Sequence, residues 1–191
     1  MTPEDFVTAL RTHRLLAIVR GSDPGAALDT VLTLFRHGVG AVEVSLTGAD
    51  ALGVIARARA ELGPGALLGA GTVLSEDDAD NAADAGADFA VTPGGTDALA
   101  VCRERGLPVL AGALTPTEVI TVLHAGAAAV KLFPASLGGP GHLKALRAPF
   151  PAVPFVPVGG VDAAAARSYL SAGATAVGAG RPLTRAAADG P

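Results

Sequence analysis

Lys131 stands in the run Ala128-Ala129-Val130-Lys131-Leu132-Phe133-Pro134, one amine among apolar neighbours. Such a run reads as a buried strand, where a charged lysine is costly unless paired. Burial of a lysine favours the neutral amine, the form that attacks a carbonyl carbon. Glu43 repeats the anomaly in Ala41-Val42-Glu43-Val44-Ser45. A carboxylate there can pair with an ammonium or carry protons to and from a reacting group through a water. The bland alternatives are a snorkelling or acid-paired lysine and a purely structural ion pair.

Other polar groups stand at the ends of apolar runs. Arg20 closes 15–19, and its planar fork suits a carboxylate or phosphate, although a surface arginine looks the same in sequence. Gly69-Ala70-Gly71-Thr72 and Thr92-Pro93-Gly94-Gly95 combine glycines, which let backbone approach a ligand, with hydroxyls that bond a carboxylate. Val158-Gly159-Gly160-Val161 and Gly178-Ala179-Gly180 offer backbone N–H groups of the kind that hold phosphate. The four histidines, His13, His37, His124 and His142, show no metal-ligand spacing, so neither a metal nor a cofactor is expected.

These residues need strands to carry them. Short apolar runs recur at 15–19, 41–45, 66–70, 88–92, 108–111, 128–133, 155–158 and 174–177. They are continuous rather than alternating, as in parallel strands buried on both faces. Helical periodicity fills the gaps: 24–36, 51–62, 77–85, 97–105, 116–124, 143–147 and 163–170. Pro24 suits a first helical turn and Gly38 an exit. Three helices close on Ala-Gly-Ala, at 85–87, 125–127 and 172–174, where glycine permits a left-handed cap. Strand and helix alternating eight times predict an α/β fold, a small (βα)₈ TIM barrel in a single domain over 1–191. An extra helix at 2–13 precedes the first strand, and the last helix is shortened to 181–188. In such a barrel chemistry sits at the C-terminal strand ends, with phosphate at strands seven and eight.

Composition narrows the partners. Half of the 191 residues are hydrophobic and 17% are charged, yet no apolar run reaches a membrane span. A net charge of −4, no Trp and one Tyr argue against nucleic acid. A single cysteine, Cys102, and an N-terminus without a basic patch and apolar core fit a reducing cytoplasm. A small-molecule substrate remains.

From about Leu15 to Leu183 the chain resembles the 2-keto-3-deoxy-6-phosphogluconate and 2-keto-3-deoxy-6-phosphogalactonate aldolases. Its most specific pieces are Val42-Glu43-Val44, Gly69-Ala70-Gly71-Thr72-Val73-Leu74, Thr92-Pro93-Gly94 and Val130-Lys131-Leu132-Phe133-Pro134. The resemblance implies a class I aldolase in which Lys131 forms a Schiff base and Glu43 is the general acid/base. It implies that Arg20 and Thr72 hold the substrate's carboxylate end, with Thr92, Pro93, Phe133 and Val158 also touching substrate. Gly159, Gly160, Gly178, Gly180 and Arg181 would form the phosphate site. It further implies a metal-independent, cytoplasmic homotrimer. The chain departs from the gluconate pattern at Thr47, where that pattern has arginine, and at Val158, where it has threonine; both lean toward galactonate. Arg181 replaces a common serine and would bind phosphate through its own charge. Two rivals use the same glycines: an isomerase or epimerase, which needs no imine, and a barrel that only binds a phosphorylated metabolite. A pure binder gains nothing from Lys131 and Glu43 on apolar strands, whereas the isomerase or epimerase would use acid/base groups and is set apart by resisting borohydride inactivation in the presence of substrate.

Overall fold

The computed structural model describes residues 1–180. Eight strands lie parallel in the order β7-β6-β5-β4-β3-β2-β1-β8. They are β1 (Leu15–Val19), β2 (Ala41–Ser45), β3 (Leu67–Gly71), β4 (Phe89–Val91), β5 (Val109–Ala113), β6 (Ala129–Leu132), β7 (Phe155–Pro157) and β8 (Val177–Ala179). The two outer strands meet through the Val158 to Gly178 bridge and a 2.8 Å hydrogen bond from the Thr175 N–H to the Phe155 carbonyl. The result is the α/β barrel that the alternation predicts.

Helices α1 (Pro3–His13), α2 (Pro24–Arg36), α3 (Ala51–Leu62), α4 (Glu76–Asp84), α5 (Ala98–Glu104), α6 (Pro116–His124), α7 (Gly139–Arg147) and α8 (Ala163–Ser171) surround or close the barrel. Their starts are written locally. Thr2 with Asp5, Ser75 with Asp78 and Thr115 with Glu118 form capping boxes, which satisfy otherwise orphaned N–H groups. Gly86, Gly126 and Gly173, with φ of 88°, 92° and 96°, take the left-handed caps expected of the Ala-Gly-Ala closes.

The core has two parts. One lies between strands and outer helices. The other fills the lower barrel, where α1 plugs the N-terminal end and Phe6 stacks on Phe89 with ring centroids 4.8 Å apart. Gly69 makes this possible, because a Cβ there would lie 2.4 Å from the Phe89 ring.

Most boundaries shift by one or two residues, and three differences bear on the site. β8 begins at Val177 rather than 174, because its pairing with β1 starts opposite Leu15, just after the left-handed Arg14. Gly178 therefore belongs to the strand and not to a loop after it. β4 stops at Val91, and the Thr92 hydroxyl turns back to donate to the Gly94 carbonyl at 2.6 Å. α7 begins at Gly139 rather than 143, and a short 3₁₀ turn, Ala135–Leu137, precedes it. The glycine-rich run reads as loop, but Pro140 sits in the first helical turn, where its missing N–H costs nothing. The expected helix at 181–188 lies outside the described residues.

Candidate active site

Alternate residues of each strand face the barrel axis. At the C-terminal end this parity sends Glu43 and Ser45 inward from β2, Lys131 from β6 and Gly178 from β8. Arg20, Thr72, Pro93 and Phe133 follow on the connecting segments. All eight line one cavity of about 700 Å³. Glu43 pairs in register with Ile18 and Gly69, and Lys131 with Gly112 and Val156. In an eight-strand ring β2 and β6 are four strands apart, so the carboxyl and the amine come from opposite walls.

Both are withdrawn from solvent: Glu43 is 2% exposed and Lys131 5%. Burial pushes the Glu43 carboxyl above its ordinary pKa, and the nearby Lys131 offsets only part of that rise. Its Oε2 has no hydrogen-bond partner among the described residues. An unsatisfied buried oxygen facing a cavity is poised for water or substrate. The room for this carboxylate comes from Gly71, where a Cβ would stand 2.6 Å from Oε1. Lys131 Nζ lies 4.8 Å from the centroid of the Phe133 ring, whose face favours positive charge.

On the β1–β3 side, Ser45 Oγ lies 2.9 Å from Thr47 Oγ1 and 3.0 Å from Thr72 Oγ1. Thr72 takes a left-handed φ of 60°, unusual for a β-branched residue. Arg20 stands exposed at the rim. On the β7–β8 side, Gly159 and Gly160, at φ 96° and 75°, carry the chain past the cavity. They lead to Asp162, which caps α8 by accepting from the Ala165 N–H at 2.8 Å. Val158 and Gly180 complete that side.

Thr92 departs from its expected place. It is fully buried and absent from the cavity wall. Its hydroxyl also accepts from the Gly112 N–H at 3.4 Å, so it braces the loop that puts Pro93 at the cavity. Gly112 is the space for that loop: a Cβ there would fall 2.0 Å from the Pro93 carbonyl oxygen. Arg181 lies outside the described residues. Ser45, Ile18, Val161 and Asp162 line the cavity without having been singled out from sequence. Strand parity would have found Ser45, two residues beyond Glu43. Among the described residues no three His, Cys, Asp or Glu side chains group to hold a metal ion, and no helix is long and apolar enough to cross a membrane.

Comparison with known proteins agrees with this geometry. The profile of the KDPG and KHG aldolases matches residues 7–189. A 2-dehydro-3-deoxy-6-phosphogalactonate aldolase of Escherichia coli K12 is 37% identical over 174 residues, 90% of this chain and 85% of that protein. A 2-dehydro-3-deoxy-phosphogluconate aldolase of Pseudomonas aeruginosa is 36% identical over 166 residues, 86% and 75% of the two chains. The solved native KDPGal structure superposes with a TM-score of 0.83 at 36% identity, covering 87% of this chain and 82% of that one. A Legionella pneumophila KDPG aldolase, with pyruvate captured as a covalent carbinolamine, superposes at 0.85 with 28% identity, over 94% and 86%. The chain belongs to the KDPG and KHG aldolase family and is a class I, Schiff-base carbon–carbon lyase.

Proposed function

We propose that the chain cleaves a 2-keto-3-deoxy-6-phospho sugar acid to pyruvate and glyceraldehyde 3-phosphate, with Lys131 as nucleophile and Glu43 as general acid/base. The observation that carries this is the pair itself: an amine and a carboxyl, both buried, on opposite strands of one barrel and open to one cavity.

Lys131 Nζ adds to the C2 keto carbon, and loss of water gives an iminium. The Phe133 face beside Nζ favours that cation. The iminium draws the electrons of the C3–C4 bond as Glu43, through a water, takes the C4 hydroxyl proton. Glyceraldehyde 3-phosphate leaves, and the enamine is protonated at C3 and hydrolysed to pyruvate, freeing the amine. Because the iminium is the electron sink, the reaction calls for neither metal nor cofactor. Arg20 and Thr72 hold the carboxylate end; Pro93, Phe133 and Val158 flank the chain of the substrate. Backbone N–H groups around Gly159, Gly160, Gly178 and Gly180 take the phosphate, the usual place for it in barrels of this kind.

The same reading makes residues 1–191 one domain, working as a homotrimer in the cytoplasm. The test of the activity is pyruvate release from 2-keto-3-deoxy-6-phosphogluconate and from its galactonate epimer. Release from at least one is expected, and release from neither contradicts the assignment.

A further inference from the structure

Ser45 is 3% exposed, faces the cavity and touches two other hydroxyls. Three hydroxyls carry three protons, and the two hydrogen bonds between them use two. One proton is left to point outward: from Thr72 or Thr47 when Ser45 donates to that threonine, or from Ser45 itself when both threonines donate to it. If Thr72 meets an anion, it donates outward, Ser45 donates to Thr72, and Thr47 donates to Ser45. Each bond then polarises the next in the same sense.

The backbone around Thr72 is already fixed. The Leu46 N–H donates to the Gly71 carbonyl at 2.7 Å, and the Val73 N–H donates to the Val91 carbonyl at 3.1 Å. Between these anchors Thr72 is held in its left-handed conformation at the cavity wall. A strained residue persists only where its surroundings over-determine it. The backbone sets where the Thr72 oxygen lies; Ser45 sets where its proton points.

We infer that Ser45 is a positioning residue, which turns the Thr72 hydroxyl into a committed donor to the carboxylate of the 2-keto acid, with Thr47 as the outer end of the relay. This rests on the Schiff-base reading above and assigns no bond-breaking step to Ser45.

Pyruvate trapping by borohydride tests it, read as the pyruvate concentration giving half-maximal labelling of Lys131. Ser45→Ala should raise that concentration about 3- to 10-fold, the worth of one neutral hydrogen bond, with a smaller change in the labelling rate at saturation. Thr47→Val should raise it about twofold. The double variant should match Ser45→Ala alone, because Thr47 acts only through Ser45. Ser45→Thr, which keeps the hydroxyl, should restore the wild-type value. Thermal melting of each variant separates these effects from misfolding: a Ser45→Ala protein that melts as wild type yet binds pyruvate as wild type overturns the inference. Multiplicative effects in the double variant overturn the relay. Where Ser45→Ala melts early, the Ser45→Thr and Thr47→Val values decide by the same criteria. Wild-type protein that is never labelled at Lys131 removes the Schiff-base reading, and this inference with it. Labelling with unmoved half-saturation removes only the inference.

Discussion

Along β1, β2 and β3 the cavity wall is made of side chains: Arg20, Glu43, Ser45 and Thr72. Along β7 and β8 much of it is backbone, bared by Gly159, Gly160, Gly178 and Gly180, with Val158, Val161 and Asp162 between and beside them. Under the proposed reaction the two walls solve different problems. The first must hold a carboxylate and move a proton, which takes groups of set acidity and direction. The second has to surround a charged end group that does not react, which takes N–H groups and room. Substitutions should therefore act differently on them. On the side-chain wall, removing a polar atom costs rate while the fold survives. On the glycine wall, adding a carbon costs space and stability.

The largest expected effect is on the first wall. Glu43→Gln keeps the shape but cannot accept the proton, and should lower kcat about 10²- to 10⁴-fold with the fold intact, measured by steady-state cleavage. Unchanged kcat would make Glu43 structural and break the contrast.

On the second wall, Gly178→Ala places a Cβ 2.5 Å from Val158 Cγ2. Valine is stiff at χ1 and is 4% exposed here, so it has little freedom to yield. A loss of about 1–3 kcal/mol in stability, read by denaturant unfolding, is expected, with a raised KM as Val158 is pushed toward the cavity. A variant as stable as wild type would show that this wall has slack.

Val158→Thr puts a hydroxyl on the glycine wall without changing its shape. One neutral hydrogen bond is worth about 0.5–1.5 kcal/mol, so the ratio of kcat/KM for the gluconate over the galactonate epimer should rise several-fold. The two substrates differ at C4, the carbon whose hydroxyl loses its proton. An unmoved ratio would leave Val158 as packing alone. A wild type that prefers the gluconate epimer a hundredfold would overturn the galactonate leaning of Thr47 and Val158.

The smallest effect concerns pH. The Glu43 carboxyl is raised above its ordinary value of 4.5. Its protonated form is therefore favoured by the fold, a contribution present below that value and lost as pH rises through the raised one. Glu43→Gln lacks this term, so its melting temperature relative to wild type should increase as pH climbs above 4.5. A difference that stays flat with pH would mean that Lys131 compensates the burial fully.

How much of this was legible in the sequence follows the same divide. Lys131 and Glu43 stood out because a charge in an apolar strand has no bland explanation as good as a functional one. Pro24 marked one helix start, whereas the capping boxes at Thr2, Ser75 and Thr115, which act within three residues, went unread. Glycine roles were less so. Gly159 and Gly160 line the cavity as expected, but Gly71 serves the Glu43 carboxylate and Gly112 serves the Pro93 loop, contacts between distant strands that no local pattern encodes. Thr92 misled for the same reason. A threonine at a strand end reads as a ligand group, whereas its partners are the Gly94 carbonyl and the Gly112 N–H, the latter from the neighbouring strand. Ser45 was hidden by its ordinariness: a serine ending a strand is common, and only its contacts with Thr47 and Thr72 give it a role.

The central claim is that one buried amine forms a covalent bond with a keto acid. Incubation of the purified protein with pyruvate and borohydride, followed by intact mass and peptide mapping, measures that bond. A single added reduced-pyruvate mass, located on Lys131 and absent in Lys131→Ala, is predicted. Labelling at Lys144 instead, or no label at all, would contradict the account.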